Sequence, residues 1–498
     1  MKIDTDRTLT TRAAKLLDGP ANLINGEWEE GKSFDLEVVN PTTTDKIRSL
    51  PTADVGQADR AVAAAYAAFH DGPWASASPR QRSDLLLDLA ALMEEYYEEL
   101  VEIIVTEVGA PITLARAMQV GMPIDNIRWA ADMALKGPQG GYKEALAPHM
   151  GPPMSSSLLQ RVPVGVVAGI TGYNFPINSV AWKLGPGLAA GCTLVFKPSP
   201  RTPLSTLAFM RLVDRVGFPP GVVNFVVGEA EIGSALTVHP QVDMVMFTGS
   251  LSVGQRIMSA ASETTKRLVL ELGGKSANIV LPGADIGDVV GPTILRWSRN
   301  AGQGCGATTR TLVPRNLYDD YVEAAREFIV DMNVGSPWKD STDVGPLISD
   351  EQRTFVERHV ADALSGGGEV IAGGGRPSDL PGYFMNPTLI GGVTNDSTIC
   401  QEELFGPVGV LLPYDEVTDA IRIANDSKYG LHAAVWGPPD AAFDVAREIR
   451  AGAVSINGGG FMRPEGPWGG FKQSGFGREM GEDGFREFFE VKHLQWPI

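Results

Sequence analysis

The chain has 498 residues, 43% of them hydrophobic, which is enough apolar material for about three domains with cores of their own. Its 42 Lys and Arg residues against 60 Asp and Glu residues give a net charge of −18. A chain this acidic repels phosphate backbones and anionic lipids over most of its surface, so we exclude nucleic acids and membranes as partners.

The cysteines are too few and too scattered for a disulfide framework or a zinc site. Cys192, Cys305 and Cys400 form no C-x-x-C pair and no metal-ligand spacing, a usage typical of a reducing compartment. Residues 1–7 lack the apolar core of a signal peptide, and no apolar run reaches the ~18 residues of a membrane-spanning helix. We therefore expect a soluble, cytoplasmic protein without a bound metal.

The first third of the chain is predicted to be largely helical. Residues 61–69 are rich in alanine, and leucines recur at helical spacing after Ser78 and Pro79. After Pro163 the pattern changes to short apolar runs bounded by Gly and Pro, and these predict buried strands at 164–170, 193–196, 222–227 and 244–247. Helix-like stretches such as 204–216 separate the runs, so the alternation predicts a parallel sheet with helices on its faces.

A second alternating series begins after Glu271 and predicts a second α/β domain. The glycine-rich segment 366–375 is predicted to be a strand between turns rather than a phosphate-binding loop. The C-terminal segment 488–496 is β-prone and carries Leu494 and Trp496 on one side, so we expect it to pair along an edge with another subunit. The predicted strands of the second series are 277–281, 311–313, 408–412 and 433–436, with a helix at 318–332.

Cys305 lies in a loop of small residues, Asn300-Ala-Gly-Gln-Gly-Cys305-Gly. A thiol without bulky neighbours can approach a flat electrophile closely, so the loop suggests a nucleophile. Upstream, Glu271 in Glu271-Leu-Gly-Gly-Lys275 carries a carboxylate that could activate water against a group trapped on the sulfur. Taken alone, a single cysteine is more often an inert core thiol, and a glutamate beside two glycines is more often a turn residue.

The dinucleotide-binding pattern G-x-G-x-x-G is absent from the chain. Gly185-Pro-Gly187 imitates it, but this segment follows a helix-like stretch and precedes a strand, which is the wrong order. By contrast, Gly249 and Gly254 follow a predicted strand and open a helix, whose free N–H groups and dipole would face a pyrophosphate. Lys197 closes another strand and would add a cation at the same sheet edge.

Read together, these segments resemble the aldehyde dehydrogenase superfamily over nearly the whole chain. The order and spacing of the matching segments make the resemblance specific. The segments are Leu23-Ile-Asn-Gly-Glu-Trp28, Ile170-Thr-Gly-Tyr-Asn174-Phe-Pro176, Trp182-Lys-Leu-Gly-Pro186, Lys197-Pro-Ser199, Phe247-Thr-Gly-Ser250, Glu271-Leu-Gly-Gly-Lys275, Gly302-Gln-Gly-Cys305, Gln401-Glu-Glu403-Leu-Phe405-Gly-Pro407 and Pro467-Trp-Gly-Gly-Phe-Lys472-Gln-Ser-Gly475.

The resemblance implies an α/β fold of the aldehyde dehydrogenase type, with two open, twisted, mostly parallel α/β domains and a small β element for oligomerisation. The dinucleotide-binding domain would comprise residues 1–141 and 162–273, and the catalytic domain residues 274–475. The oligomerisation element would comprise residues 142–161 and 476–498. A homodimer and a homotetramer both agree with this organisation.

The resemblance also implies oxidation of an aldehyde to a carboxylic acid with NAD(P)+. The Cys305 thiolate would attack the aldehyde carbon, and the Asn174 side-chain amide and the Cys305 N–H would hold the oxyanion. Hydride transfer from this thiohemiacetal to the nicotinamide leaves a thioester, which water hydrolyses with Glu271 as general base. Since a free thiol has a pKa near ~8.5, its ionisation needs a positive dipole or a proton acceptor, a role that Glu271 could also fill.

The resemblance further implies a coenzyme site, although one part of it departs from the family's pattern. Glu403 would accept hydrogen bonds from the ribose hydroxyls, and Phe405 would pack near the nicotinamide. Pro200 and Arg201 stand where many members have Glu after Lys-Pro-Ser, so repulsion toward a 2′-phosphate is lost; we expect NAD, with NADP as the alternative. The other residues predicted to bind the coenzyme are Thr171, Tyr173, Lys197, Ser199, Gly228, Gly249, Ser250, Gly254 and Leu272.

The predicted aldehyde tunnel is roomy and polar. Glycines flank Cys305, and the segment from Phe461 to Trp468 would close the tunnel, so Arg463 could select a polar or anionic aldehyde. The particular aldehyde is not readable from these residues. The predicted lining residues are Phe175, Asn178, Ser179, Trp182, Gly304, Met462, Arg463 and Trp468.

Other functions remain to be compared with this one. A cofactor-independent thiol esterase or hydrolase would need a histidine partner for Cys305, but none of the 6 histidines has a motif context. A catalytically silent binding protein on the same scaffold would be expected to lack Cys305, Asn174 or Glu271, and all of these are present. Transfer of the acyl group to CoA is disfavoured by Glu271. Lys275 and Arg310 are interpreted as structural.

Overall fold

The computed structural model describes residues 8–459 and 462–498 of the chain. Two large sheets organise these residues, and each consists mainly of parallel strands connected through helices. Parallel neighbours need long crossover connections, which the intervening helices supply. The predicted α/β fold is therefore confirmed.

The first sheet has eight strands, and the strands at its centre are parallel. Val166–Ile170 and Thr193–Lys197 are buried along their whole length, which explains why they are continuous apolar runs rather than alternating ones. The strands predicted in this half are confirmed with small shifts at their ends. In spatial order the sheet contains Glu27–Glu29, Asn22–Ile24, Val223–Phe225, Thr193–Lys197, Val166–Ile170, Met244–Thr248, Arg267–Glu271 and Gly475–Phe476.

The second sheet has seven strands, and it contains all the strands that were predicted for the second alternating series. The glycine-rich segment is indeed a short strand, Glu369–Ala372, antiparallel to its neighbour at the sheet edge and followed by glycines with positive φ. In spatial order the sheet contains Glu369–Ala372, Thr388–Gly391, Val408–Tyr414, Arg310–Pro314, Ala277–Val280, His432–Trp436 and Ala453–Ile456.

A third sheet of three strands contains the C-terminus. Phe489–Pro497 lies at its edge and runs antiparallel to Ser155–Pro163, which pairs on its other side with Lys143–His149. After its first residue the C-terminal strand is exposed along its length, and Leu494 and Trp496 are 39% and 45% exposed. Two small antiparallel pairs complete the strands: Asp35–Val39 with Lys46–Pro51, and Tyr429–Gly430 with Phe471–Lys472.

Several helices begin at capping signals present in the sequence. Ser78 accepts a hydrogen bond from the Gln81 N–H while the Gln81 side chain accepts from the Ser78 N–H, and Pro79 occupies the first turn. Gly185-Pro-Gly187 lies inside a helix rather than in a loop. The α-helices are Thr11–Leu17, Val55–His70, Pro79–Glu95, Tyr97–Val108, Ile112–Leu114, Met122–Lys136, Pro176–Ala190, Pro203–Val216, Ala230–Val238, Leu251–Ala261, Ile286–Ser298, Tyr318–Asp331, Asp350–Ser365, Thr398–Gln401, Val417–Asn425, Pro439–Glu448 and Gly481–Arg486.

Each large sheet has apolar clusters of its own. Within the described part of the chain, no helix combines the length and the apolar character needed to cross a membrane. The same residues contain no group of His, Cys, Asp and Glu that could hold a metal ion. All three cysteines are unpaired.

Candidate active site

The two large sheets bring three separate loops together at one place. Asn174 follows the strand Val166–Ile170, and Glu271 ends the strand Arg267–Glu271 of the same sheet. Cys305 precedes Arg310–Pro314 of the second sheet. Because the parallel strands of one sheet end at the same edge, Asn174 and Glu271 meet beyond the carboxyl ends of the first sheet, and Cys305 joins them from the loop at the amino end of Arg310–Pro314.

The Cys305 loop depends on an unusual backbone turn. Asn300 and Ala301 have φ values of 53° and 54°, and Gly302 follows with φ 74°. A side chain at Gly302 would place its Cβ 2.0 Å from the Gly406 carbonyl oxygen, so only glycine fits there. The small residues before Cys305 therefore serve this turn as well as access to the sulfur.

The Cys305 thiol is held in its neutral form. Burial raises its pKa well above the usual value, and the nearby carboxylates Glu271 and Glu403 raise it further, while a hydrogen bond from the Gly306 backbone opposes the shift. The thiol therefore requires a proton acceptor before it can act as a nucleophile. The proton acceptor next to the thiol is Glu271. Its side chain also lines the two cavities that meet at Cys305.

The Asn174 side-chain amide is held in a fixed orientation. Its Nδ2 donates to the Gln303 backbone carbonyl oxygen at 2.9 Å, and the backbone carbonyl oxygen of Asn174 accepts from Asn300 Nδ2 at 3.1 Å and Gln119 Nε2 at 3.2 Å. An amide nitrogen carries two N–H groups, so the second one can donate to an oxygen bound at Cys305.

The Glu271 carboxyl lies in a buried polar cluster. Both of its oxygens are buried and have no well-formed hydrogen bond to a described residue. Burial and, after it, the Glu479 carboxylate raise the pKa of Glu271 well above the usual value, whereas Trp468, Lys183 and Cys305 lower it. Lys183 is itself buried and lies 2.7 Å from Glu479 through Nζ and Oε1, and it donates to Thr248 Oγ1 at 2.7 Å.

Two cavities meet at these residues. The larger has a volume of about 770 Å³ and the smaller about 380 Å³. Asn174, Thr248, Glu271 and Cys305 line both. Two separate molecules could therefore reach the same sulfur from different directions.

Most of the residues predicted to bind a coenzyme line the larger cavity. Gly249 and Ser250 precede the helix Leu251–Ala261, whose free N–H groups can hold a phosphate. Gly228 and Gly254 do not line the cavity: a Cβ at Gly254 would lie 2.6 Å from Leu272, and one at Gly228 2.5 Å from Ile232. These two glycines permit close packing beneath the cavity. The predicted residues that line it are Thr171, Tyr173, Lys197, Ser199, Gly249, Ser250, Leu272, Glu403 and Phe405.

The larger cavity has the polar groups that a dinucleotide needs. Burial lowers the pKa of Lys197 to about 8, and its Nζ donates to the Pro198 carbonyl oxygen at 2.9 Å. Burial raises the pKa of Glu403 to about 7, and its carboxylate accepts from the Gly274 N–H at 3.0 Å. Phe405 packs edge-on against Tyr173, with ring centroids 5.7 Å apart. A cation, a helix N-terminus and a carboxylate along one cavity fit the phosphates and the ribose hydroxyls of a dinucleotide.

Basic side chains gather where Pro200 and Arg201 replace the glutamate of the family pattern. Lys197, Arg201 and Arg256 all line the larger cavity. The Arg201 guanidinium donates to Ser349 Oγ and lies 5.8 Å from the centre of the Tyr173 ring. A 2′-phosphate at this end would meet positive rather than negative charge.

The smaller cavity contains six of the eight residues predicted for the aldehyde tunnel, but not Arg463 or Trp468. Contrary to the prediction, the Arg463 side chain is 77% exposed and lies 3.7 Å from the Glu465 carboxylate. Trp468 is buried in a small apolar cluster instead. Phe461 lies outside the described residues. The six residues that line the cavity are Phe175, Asn178, Ser179, Trp182, Gly304 and Met462.

About half of the residues that line the smaller cavity were not predicted from the sequence. Several of these residues are large and apolar, so the cavity is less polar than the predicted tunnel. Arg296 and Arg299 belong to the same set, and their position just before the Cys305 loop was the signal that could have identified them. The lining residues that were not predicted are Leu114, Met118, Thr248, Pro292, Leu295, Arg296, Arg299, Asn300, Ala307, Trp436 and Gly458.

The Arg310 side chain connects separate segments of the chain, as expected for a residue with a structural role. Its guanidinium is buried and donates to the Lys275 and Ala424 carbonyl oxygens, both at 2.9 Å. Burial lowers the pKa of Lys275 to about 8. Neither side chain lines the two cavities that meet at Cys305.

Comparison with known proteins gives consistent matches along the whole chain. A sequence profile of the aldehyde dehydrogenase family matches residues 28–494. The chain is 39% identical over 475 residues to the 3-succinoylsemialdehyde-pyridine dehydrogenase of a Pseudomonas species, covering 94% of this chain and 97% of that protein. An aldehyde dehydrogenase from Bacillus cereus, solved as an NAD+ complex, is 36% identical, with a TM-score of 0.95 over 99% of this chain and 100% of that one. An E. coli NADP-dependent enzyme is 32% identical, with a TM-score of 0.93 over 100% of both chains.

Proposed function

The chain belongs to the aldehyde dehydrogenase family, and we propose that Cys305, Glu271 and Asn174 are the residues with which it oxidises its aldehyde. The protein is an NAD(P)-dependent aldehyde dehydrogenase, so the reaction class is that of the family. The meeting of two cavities at these three side chains supports the assignment of roles. The larger cavity would receive the coenzyme and the smaller one the aldehyde.

In the first half of the reaction, Glu271 accepts the thiol proton and the Cys305 sulfur bonds to the aldehyde carbon. The carbonyl oxygen becomes an oxyanion, and the Asn174 amide and the Cys305 N–H donate to it. The fixed orientation of Asn174 supports this role, because a donor that is already aligned needs no reorganisation as charge develops. A bound nicotinamide would supply the hydride acceptor for the adduct, and loss of the hydride would leave Cys305 as a thioester.

In the second half, Glu271, which has by then released the thiol proton to solvent, accepts a proton from a water molecule that attacks the thioester carbon. The oxyanion forms again in the same position, the carbon–sulfur bond breaks, and the acid leaves. The raised pKa of Glu271 supports this role, because a carboxylate with a pKa nearer neutrality is a stronger base. Lys197, Ser199, Gly249, Ser250 and the other lining residues would hold the coenzyme.

The alternative of a cysteine hydrolase with a histidine partner is disfavoured. His432 contacts the residue that follows Cys305, with Nδ1 3.1 Å from the Gly306 carbonyl oxygen and Nε2 3.0 Å from Ser455 Oγ. Burial lowers the pKa of His432 to about 3, so it is a weak base at neutral pH. It is not suited to withdraw a proton from Cys305.

The proposed coenzyme preference is tested by steady-state kinetics with an aldehyde panel, following the absorbance of the reduced coenzyme. We expect wild type to use NADP as well as NAD. Replacing Arg201 with Glu should lower kcat/KM for NADP about tenfold to a hundredfold, because a carboxylate repels a 2′-phosphate that arginine attracts. NAD use should change little. Failure to reduce either coenzyme with any aldehyde would contradict the proposed function.

Arg80→Glu is the control for the Arg201 substitution. Arg80 is 75% exposed on a helix and pairs with Asp84, so the charge change is the same but lies outside the cavity. We expect it to leave both coenzymes unaffected. A strong preference for NAD that neither substitution alters would contradict the proposed role of Arg201.

We further propose that the third sheet joins copies of this chain and that the division into three parts follows the three sheets. Its C-terminal edge strand and the exposed Leu494 and Trp496 support this. Replacing both with Asp is expected to lower the molar mass measured by light scattering. Gln495→Asp, which changes the opposite face of the same strand, should leave the mass unchanged. An unchanged mass in the double variant would contradict the proposal.

A cytoplasmic location also belongs to the proposal. The supporting observations are the three unpaired cysteines and a reaction that needs a reduced thiol at Cys305. Fractionation of cells followed by detection of the protein tests it.

A further inference from the structure

Two arginines of the smaller cavity have no role in the steps proposed above. Arg296 lies in the last turn of the helix Ile286–Ser298, and Arg299 is the first residue after this helix. Both line the cavity that contains Cys305. Residues three positions apart in a helical segment lie on neighbouring parts of the same face, so the two guanidinium groups share one side of the cavity.

The two arginines differ in their exposure. Arg296 is partly buried, and its guanidinium carbon lies 5.5 Å from the centre of the Trp436 ring, which is itself a wall of the cavity. Arg299 is exposed. The cationic region therefore extends from the cavity wall toward solvent.

The smaller cavity is lined by fewer carboxylates than arginines. Glu271 is the single carboxylate among the described lining residues of the smaller cavity, and it is committed to the reaction beside Cys305. Within residues 8–459 and 462–498, Arg299 forms no ion pair. Burial and, after it, the charge of Arg299 lower the pKa of Arg296, so an anion bound between them would relieve the repulsion.

The remaining walls are suited to a hydrocarbon segment. Leu114, Met118, Trp182 and Trp436 line the cavity together with backbone of the Cys305 loop. A molecule that reaches Cys305 with its aldehyde would pass these apolar side chains, while its far end would lie near the arginines. A volume of about 380 Å³ accommodates a small molecule of this shape.

Building on the proposed function, we propose that the preferred substrates are ω-oxo carboxylates, in which Arg299 and Arg296 bind the carboxylate while the aldehyde lies at Cys305. Arginine is suited to this task because its planar guanidinium donates two parallel hydrogen bonds to a carboxylate. This role replaces the one predicted for Arg463, which lies outside the cavity beside Glu465. The positive charge that selects the substrate therefore comes from the end of the helix Ile286–Ser298, which precedes Cys305 in the chain. It does not come from the later segment that contains Arg463.

The test compares hexanal with 6-oxohexanoate, two aldehydes of equal chain length that differ in the terminal carboxylate. Wild type is expected to have the higher kcat/KM for 6-oxohexanoate. Arg299→Gln should raise KM for 6-oxohexanoate about tenfold to a hundredfold, in line with the loss of a charge-assisted hydrogen-bond pair, and change hexanal little. Arg299→Lys should restore part of the difference because it keeps the charge but not the fork. Arg296→Gln should act in the same direction.

Arg463→Gln is the matched control and should change neither substrate. A second measurement needs no variant: adipate should inhibit hexanal oxidation by wild type competitively, and less so at high salt. Equal kcat/KM values for the two aldehydes in wild type, or no competition by adipate, would overturn the proposal while leaving the aldehyde dehydrogenase activity in place. Absence of coenzyme reduction with every aldehyde would instead overturn the assignment of the active site, and this inference with it.

Discussion

Replacing Cys305 with Ala is expected to abolish aldehyde-dependent reduction of the coenzyme, with a loss of at least about a thousandfold in kcat. Without the sulfur no covalent adduct forms, so the hydride has no tetrahedral carbon from which to leave. Coenzyme binding should survive, because the larger cavity keeps its other lining residues. The measurements are the rate of coenzyme reduction and the quenching of protein fluorescence by the coenzyme.

Cys192→Ala is the control for this substitution. Cys192 is fully buried, and burial raises the pKa of its thiol to about 12, so it is an inert core thiol. The control should keep its activity, and any loss of stability would appear in its thermal unfolding. Coenzyme reduction at the wild-type rate in Cys305→Ala would contradict the assignment of the nucleophile.

Replacing Glu271 with Gln is expected to slow both halves of the reaction. The Gln side chain keeps the shape of Glu271 but can accept neither the thiol proton nor the proton of the attacking water, so kcat should fall by about a hundredfold to ten-thousandfold. Because formation of the adduct is slowed as well, reduced coenzyme should appear without a rapid first phase. Hydroxylamine, which attacks thioesters without a general base, should restore only part of the turnover.

The pH dependence of hydrolysis provides a second test of Glu271. The pKa of this carboxyl is raised, so it is protonated and inactive as a base below that pKa and becomes active as the pH rises through it. The steady-state rate of wild type should therefore increase with pH, and this increase should disappear in Glu271→Gln. Glu402→Gln is the control, because Glu402 is partly exposed and pairs with Lys428 at 2.7 Å. Full turnover in Glu271→Gln would contradict its role as the base.

Much of the fold could be predicted because its signals are local. The strand Val166–Ile170 is an apolar run between Pro163 and a glycine-containing turn, and Ser78 with Gln81 marks the start of a helix. Such signals depend on backbone propensities and on burial within a few residues. The ends of the elements were predicted less well, since tertiary contacts decide where the last turn or strand pair forms.

The cofactor residues show the limit of pattern matching. Gly249 and Gly254 belong to one glycine pattern, yet Gly249 lines the larger cavity while Gly254 lies against Leu272. Gly228 is likewise placed against Ile232. A pattern records that glycine is needed at a position. It does not say whether a ligand or a neighbouring side chain occupies the space that the missing Cβ leaves.

The sequence by itself determined the α/β class, the family and three candidate catalytic residues, because each of these rests on short segments whose order along the chain is specific. Only the tertiary structure decided the environment of these residues. It keeps the Cys305 thiol neutral and brings Glu479 close to Glu271. It also places Arg299, rather than Arg463, at the smaller cavity. The physical reason is that burial and electrostatic interactions depend on distances between segments far apart in the chain, and only packing of the two sheets sets those distances.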